Sequence, residues 1–198
     1  PAVIERARDS GVSKVFMPNI DDTTVEAMLN VCTAYKGYCF PMIGFHPTSV
    51  GADSLFRIYE MKKLLSGEHP FVAVGEVGMD LYWDKTYLKE QQKALDIQIQ
   101  WALEYHLPLV LHCREAFPEL FEVMEPYKKT ELSGIFHSFT GTLEEAGQVL
   151  EYARFFFGIN GVVTFKKSSL AEVLPHIPLD RIVLETDSPY LAPVPFRG

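Results

Sequence analysis

The stretch Phe71-Val72-Ala73-Val74-Gly75-Glu76-Val77-Gly78-Met79-Asp80 begins as an apolar strand and continues into a carboxylate between glycines. Four consecutive apolar residues without polar alternation are typical of a strand that is buried on both faces. The glycines on either side of Glu76 let the backbone bend and allow a ligand to approach closely. Burying a carboxylate is costly unless it is paired or coordinated. The stretch therefore predicts a buried strand that delivers an acidic side chain to a polar site.

This pattern recurs along the chain and predicts strands that alternate with helices. The predicted strands are residues 14–20, 38–45, 71–74, 107–111, 134–136, 155–159 and 181–184. The predicted helices are residues 23–35, 53–65, 87–105, 116–127, 142–152 and 168–175, with the end of a further helix in residues 1–9. Strands alternating with helices form a parallel sheet with right-handed crossovers.

Two α/β architectures satisfy this order of elements, an open doubly wound sheet and a closed (β/α)8 TIM barrel. Candidate functional residues follow at least five of the strands, which favours the barrel because many strand ends meet at one centre only there. A barrel needs eight strands, and the sequence predicts seven. We therefore expect residues 1–198 to form a single barrel domain that lacks the first strand and the C-terminal helical segment, truncated at both ends.

Composition narrows the functional classes. The three cysteines, Cys32, Cys39 and Cys113, are odd in number and lack the spacing of a disulfide framework, which favours a reducing, cytoplasmic setting. No apolar run approaches the roughly 20 residues that a membrane span needs, so we expect no membrane partner. The formal net charge of -8 disfavours tight non-specific binding to nucleic acid, although a carboxylate-rich metal pocket would itself add acidic residues.

Five strands are followed by a side chain that can bind a metal or transfer a proton: His46, Glu76, His112, His137 and Asp187. Glu185 and Arg114 each lie two positions from one of these residues and share its side of an extended backbone. A set of one Glu, two His and one Asp suits Zn²⁺, Mn²⁺ or Mg²⁺, and a bridging Glu can hold two such ions. The sequence thus predicts a convergent metal pocket.

Six motifs in order resemble the TatD family of metal-dependent deoxyribonucleases, among the amidohydrolase-like barrels. They are Gly44-Phe45-His46-Pro47, Gly75-Glu76-Val77-Gly78-Met79-Asp80, His112-Cys113-Arg114-Glu115-Ala116, His137-Ser138-Phe139-Thr140-Gly141, Gly158-Ile159-Asn160-Gly161 and Glu185-Thr186-Asp187-Ser188-Pro189-Tyr190-Leu191. The resemblance extends over the whole chain. One departure is Ser138, where the family frequently has Cys.

The resemblance implies a TIM barrel that binds two divalent ions and hydrolyses DNA phosphodiester bonds with metal-activated water. It implies that Glu76 bridges the ions and that His112, His137 and Asp187 complete the ligand set. The family also has a His-x-His pair on its first strand, which this chain lacks.

The catalytic set predicted with these ligands is Glu76, Asp187, Glu185, His46 and Arg114. In this mechanism His46 and Arg114 stabilise the charge that develops at phosphorus, and Asp187 or Glu185 accepts the proton of the attacking water.

Two alternatives stay open at the level of sequence. One is a related metallohydrolase that acts on a small phosphoester, amide or lactone, because this barrel supports many chemistries. The other is an inactive fragment that retains only the scaffold. Tyr82 and Trp83, just after Asp80, are candidates for stacking against a base, and packing of a lid is an equal alternative. The oligomeric state is open.

Overall fold

The computed structural model describes residues 2–197, so Pro1 and Gly198 lie outside the described residues. Seven parallel strands form one sheet, in which each strand pairs with the next one along the chain. The strands are β1 (Val15–Pro18), β2 (Cys39–Ile43), β3 (Ala73–Asp80), β4 (Leu109–Arg114), β5 (Gly134–Phe136), β6 (Phe155–Ile159) and β7 (Ile182–Leu184). Each predicted strand is confirmed.

Helices connect the strands on the outside of the sheet. They are α1 (Ala2–Asp9), α2 (Val25–Ala34), α3 (Ser54–Lys62), α4 (Leu88–Glu104), α5 (Phe117–Met124), α6 (Leu143–Leu150) and α7 (Leu170–Val173). Helix α7 is shorter than predicted, since a 3-10 turn at Leu174–His176 follows it and Pro175 has no backbone N–H to continue the α-helical pattern. Among the described residues, no helix combines the length and apolarity needed to cross a membrane.

Strand β3 runs to Asp80, beyond the strand end predicted at Val74. Its pairing with β4 shifts between Gly75 and Val77, so Glu76 is the extra residue of a β-bulge. A bulge bends the strand and re-aims a side chain. Gly78 has a φ of 143°, and a Cβ there would lie 1.9 Å from the backbone oxygen of His112. Only glycine fits this close approach of the two strands, which lets β3 continue past the bulge.

Two glutamines of helix α4 form hydrogen bonds with the backbone at or just after the carboxyl ends of β2 and β3. Gln91 and Gln98 are two helical turns apart and both are buried. The side chain of Gln91 accepts a hydrogen bond from the N–H of Asp80 (2.9 Å) and donates one to its carbonyl (3.0 Å). Gln98 accepts a hydrogen bond from the N–H of Phe45 (2.7 Å). Gln98 therefore holds the backbone next to His46, and Gln91 holds the backbone at the end of β3.

The sheet is curled and open, because β1 and β7 are edge strands that pair on one side only. Apolar side chains at both edges are exposed, with Phe16 on β1 at 58% and Leu184 on β7 at 82%. This arrangement confirms the predicted TIM-barrel-like fold that lacks one strand. Buried aromatic rings pack against one another beside β5 and β6, among them Phe139 against Phe157 with 5.0 Å between ring centroids.

Candidate metal centre

Glu76 lies where the imidazoles of three histidines converge, at the carboxyl ends of the parallel strands. Its Oε1 is 3.1 Å from Nδ1 of His112, 3.9 Å from Nε2 of His46 and 4.0 Å from Nε2 of His137. Ligand atoms of His46, Glu76 and His112 all lie within 4.8 Å of one another. The bulge in β3 explains this position, since it turns Glu76 toward the ends of β4 and β5.

The Glu76 carboxylate is ionised in this setting. Burial raises its pKa, but the hydrogen bond with His112 and the charges of His137 and His112 oppose that effect and bring the pKa to about 2. A buried, ionised carboxylate requires positive charge close by. The protonated rings of His112 and His137 provide that charge.

His112 lies between two carboxylates. Its Nδ1 faces Glu76, and its Nε2 lies 2.8 Å from Oδ2 of Asp80, which accepts the hydrogen bond. Burial lowers the pKa of His112, but the hydrogen bonds to Asp80 and Glu76 raise it to about 9. Asp80 is buried, with 1% of its side chain exposed. A carboxylate that holds one ring nitrogen fixes the orientation of the imidazole and leaves the other nitrogen for a metal.

His137 has a similar arrangement on the other side of Glu76. Its Nδ1 lies 2.8 Å from Oε2 of Glu185, and the second Glu185 oxygen accepts a hydrogen bond from the N–H of Ser138 (2.5 Å). Burial lowers the pKa of His137, but the carboxylates of Asp187 and Glu185 raise it to about 10. Its Nε2 faces Glu76 and also lies 3.8 Å from Oδ1 of Asp187. Asp187 therefore faces the same centre.

His46 is held by hydrogen-bond donors instead of a carboxylate. The backbone N–H of Thr48 donates to its Nδ1 (3.2 Å), and the Thr48 hydroxyl lies 2.7 Å from the same nitrogen. Burial, followed by the charge of His112, lowers the pKa of His46 to about 4, so the ring is neutral near pH 7. Since Nδ1 accepts, the neutral ring has its proton on Nε2, which faces Glu76.

Arg114 lies on the rim, outside the group of converging ligand atoms. Its guanidinium stacks on the ring of Tyr82, with 3.7 Å between the guanidinium carbon and the ring centroid. The structure thus brings Glu76, His112, His137, Asp187, Glu185 and His46 together and places Arg114 beside them.

Sequence reasoning did not assign roles to Asp80 and Thr48, which orient His112 and His46. Asp80 is part of a quoted motif, and an acidic residue four positions after Glu76 in an otherwise apolar strand is a signal for a buried partner. Gln91 and Gln98 were also missed. Two glutamines seven positions apart among the apolar residues of α4 are the corresponding signal.

The donor set fits a divalent cation. Carboxylates fix the outer nitrogens of His112 and His137 and direct the inner nitrogens at the buried Glu76 carboxylate, as in metal sites with oriented histidine ligands. Mixed imidazole and carboxylate ligands suit Zn²⁺ and Mn²⁺, and carboxylates suit Mg²⁺. The positive charge that two protonated histidines provide here is of the sign and location that a bound cation would provide.

Comparison with known proteins gives a consistent result. Residues 1–198 match the family described as TatD related DNase. The chain is 34% identical over 197 residues to the uncharacterized metal-dependent hydrolase YabD of Bacillus subtilis, covering 99% of this chain and 76% of that protein. It is 34% identical over 203 residues to the 3'-5' ssDNA/RNA exonuclease TatD of Pantoea ananatis, covering 98% of this chain and 75% of that protein.

Solved structures of TatD proteins have a similar fold. The TatD homologue YJJV of Escherichia coli superposes with a TM-score of 0.85 at 27% identity, over 100% of this chain and 76% of that one. A TatD family hydrolase of Entamoeba histolytica gives a TM-score of 0.76 at 25% identity, over 96% of this chain and 65% of that one. These matches and the cation-compatible centre show that the chain belongs to the TatD-related DNase family, as a TatD-family metal-dependent hydrolase.

Proposed function

We propose that this protein is a deoxyribonuclease of the TatD type that hydrolyses phosphodiester bonds of single-stranded DNA or of DNA ends with divalent metal ions. The proposal depends on the orientation of His112 and His137. A carboxylate holds the outer ring nitrogen of each histidine, and the inner ring nitrogen faces Glu76. The name of the Pantoea ananatis relative, a 3'-5' ssDNA/RNA exonuclease, supports a single-stranded substrate.

Glu76, His112, His137 and Asp187 are the residues that would hold divalent metal ions, two of them on this proposal. Mg²⁺, Mn²⁺ and Zn²⁺ are the candidates. When bound, a divalent ion would lower the pKa of water toward neutrality and offset negative charge on the phosphate. The exposed, ionisable Asp187 suits the role of proton acceptor, with 45% of its side chain exposed. Glu185, by contrast, is occupied by His137 and Ser138 and suits an orienting role.

His46 is the proposed hydrogen-bond donor to the phosphate. Its neutral ring presents Nε2–H toward the centre, because Thr48 donates to Nδ1. A pre-positioned donor of this kind stabilises charge that develops on the phosphate oxygens. Its low pKa keeps the ring neutral, so the proton stays on the nitrogen that faces the centre.

A cationic cleft on the same rim supports a polyanionic substrate in spite of the net charge of -8. The cleft has a volume of about 610 Å³ and contains Lys166, Lys167 and Arg197. Its lining comes from the segments that follow β5, β6 and β7, the same strand ends from which His137 and Asp187 reach the centre. Positive charge placed there would attract a phosphate backbone toward the ligands.

Cleavage of a labelled single-stranded oligodeoxynucleotide with Mg²⁺ tests the proposal. We expect release of nucleotides that EDTA blocks, and a loss on the order of 10³-fold or more in Glu76→Ala, which removes the carboxylate that the three histidines face. Glu172→Ala, an exposed glutamate on α7, is the matched control and should keep full activity. Cleavage of p-nitrophenyl esters without cleavage of DNA would contradict the proposal, as would full turnover by Glu76→Ala.

His46→Ala tests whether His46 acts as a hydrogen-bond donor to the phosphate or as a metal ligand. We expect its metal content to stay at the level of the unsubstituted protein, while kcat falls by about 10²- to 10³-fold, because a charge-stabilising donor is lost. Metal content by inductively coupled plasma mass spectrometry and kcat on the same sample provide the measurement. Loss of one bound metal in His46→Ala would show that His46 is a ligand.

The proposed compartment is the cytoplasm. Its support is chemical: Cys32, Cys39 and Cys113 are free thiols in the fold. Free cysteines, two of them buried, are compatible with a reducing environment.

A further inference from the structure

Two large aromatic side chains are exposed next to the metal centre. Tyr82 is 47% exposed and Trp83 is 71% exposed, and both follow directly after the end of β3. Their rings meet edge to face, with 4.8 Å between centroids. The Arg114 guanidinium covers one side of the pair, 3.7 Å from the Tyr82 ring and 5.4 Å from the Trp83 ring. We call Tyr82, Trp83 and Arg114 the aromatic platform.

The fold fixes this platform beside the ligands. Arg114 lies opposite Asp80 in the pairing of β3 with β4, and the N–H of Leu81 donates to the Arg114 carbonyl (3.0 Å). His112 precedes Arg114 by two positions on the same strand, so both side chains leave the same side of the backbone.

Asp80 connects the platform to the centre directly. Its Oδ1 accepts hydrogen bonds from the backbone N–H groups of Tyr82 (3.1 Å) and Trp83 (3.4 Å), and its Oδ2 holds Nε2 of His112. One buried carboxylate therefore positions both a metal ligand and the two aromatic residues. This connection favours a role at the centre over loose packing of a lid.

The platform has the chemistry of a site that binds a base and its phosphate. Within residues 2–197, no carboxylate lies within ion-pair distance of the Arg114 guanidinium, so its charge is not already neutralised by the chain. An exposed indole and phenol next to such a cation offer a stacking surface that accepts any base, since every base has a π-face.

We propose that the aromatic platform stacks against an unpaired nucleobase of single-stranded nucleic acid, adjacent to the phosphodiester at the metal centre. The proposal rests on the proposed nuclease function. It names the residues that contact the unpaired base of such a substrate. A base inside a duplex is stacked on its neighbours and is not free to reach the platform. It also predicts little preference among the bases, since stacking does not read hydrogen-bonding edges.

The two tryptophans of the chain allow a direct optical test. Trp83 is 71% exposed, whereas Trp101 on α4 is 1% exposed and cannot contact a ligand in solution. Stacking of a base on Trp83 quenches its fluorescence and leaves the Trp101 signal in place. The full chain is titrated in EDTA, which prevents cleavage, with a short oligothymidylate and with an abasic strand of equal length and charge.

We expect the oligothymidylate to quench fluorescence and to bind about tenfold more tightly than the abasic strand. In the variants the preference is measured by the fluorescence anisotropy of end-labelled strands, because substitution of Trp83 removes the optical reporter. Tyr82→Ala and Trp83→Ala should each reduce the preference, and Arg114→Lys, which keeps the charge but loses the planar stacking surface, should reduce it in part. Tyr59→Ala is the matched control, a tyrosine on α3 with 56% exposure, and should retain the preference. Trp83→Phe keeps an aromatic ring and should retain most of it.

Equal binding of the two strands, or variants that keep the preference while their melting temperatures stay unchanged, would overturn the platform. Its failure is distinct from failure of the nuclease proposal. Mg²⁺-dependent cleavage without base-dependent binding contradicts only the platform. Base-dependent binding without cleavage supports the platform as a binding site and contradicts the nuclease.

Discussion

The two sides of the proposed metal centre differ in how the protein holds them. The inner side, Glu76, Asp80 and His112, lies on β3 and β4 in the middle of the sheet. The outer side, His137, Glu185 and Asp187, follows β5 and the edge strand β7. Exposure of the anchoring carboxylate rises from 1% at Asp80 to 16% at Glu185, and Asp187 on the outer side is 45% exposed. The inner anchor Asp80 is thus shielded from solvent, while Asp187 leaves the outer side accessible to solvent.

This difference indicates a division of labour within one site. An inner histidine locked by a buried carboxylate gives the centre a rigid reference before any ion arrives, which is the condition for precise coordination. An outer carboxylate near solvent is better suited to exchange protons and to admit a substrate. The predictions below test that division, beginning with the largest expected effect.

Asp80→Asn and Glu185→Gln compare the two anchoring carboxylates. We expect Asp80→Asn to weaken Mn²⁺ binding by about 100-fold and Glu185→Gln by about tenfold, the two ends of the range for partners of metal ligands. The reason is that water can replace part of the Glu185 contact but cannot reach the buried Asp80. Isothermal titration calorimetry gives both affinities, and Asp84→Asn, an exposed neighbour, is the control. A larger loss in Glu185→Gln would contradict the inner side as the rigid one.

Metal affinity should depend on pH through one proton from each side. Without metal, the pKa is about 9 for His112 and about 10 for His137, so both rings are protonated near neutrality. A metal binds only the deprotonated nitrogen, so affinity rises with pH and falls on acidification.

The expected slope is about tenfold in affinity per pH unit for each released proton, up to the pKa values. Asp80→Asn removes one of the two carboxylates that raise the His112 pKa, so the contribution of His112 to the slope should end at a lower pH than in the unsubstituted protein. Titrations of Mn²⁺ at several pH values provide the test. A flat profile in the unsubstituted protein would show that neither histidine is a ligand.

Gly158→Ala tests whether the position of the Glu185 carboxylate matters for metal binding on the outer side. A Cβ at Gly158 would lie 2.6 Å from the Glu185 carboxylate and would displace the group that orients His137. We expect a loss of several-fold in Mn²⁺ affinity, smaller than removal of the carboxylate itself. Gly147→Ala, in helix α6 with open space around it, should leave affinity unchanged and stabilise the fold by about 0.5–1 kcal/mol. Equal affinities in the two variants would contradict the orienting role of Glu185.

The strand order and the residues of the centre could be predicted because each apolar run ends close to a polar side chain. Glu76, His112 and His137 follow such runs, and parallel strands bring their ends together. The partnership of Asp80 with His112 could not be predicted, since it depends on the bulge between Gly75 and Val77, and a one-residue shift changes which side chains face each other.

The sequence patterns also could not predict which ring nitrogen of His46 carries the proton. Its protonated nitrogen is fixed by a contact with Thr48 two residues away, a matter of local geometry that residue type does not encode. The stacking of Arg114 on Tyr82 likewise depends on the register between β3 and β4. Local patterns therefore predicted which residues gather, and the pairing of strands decides which residues orient them.

Anomalous diffraction from crystals grown with Mn²⁺ tests the central claim most directly, namely that a cation binds between the two sides of the centre. We predict a peak at about 2.0–2.3 Å from the Glu76 carboxylate, with His112 on its inner side or His137 and Asp187 on its outer side. Peaks confined to carboxylates elsewhere on the surface, with no density at Glu76, would contradict it.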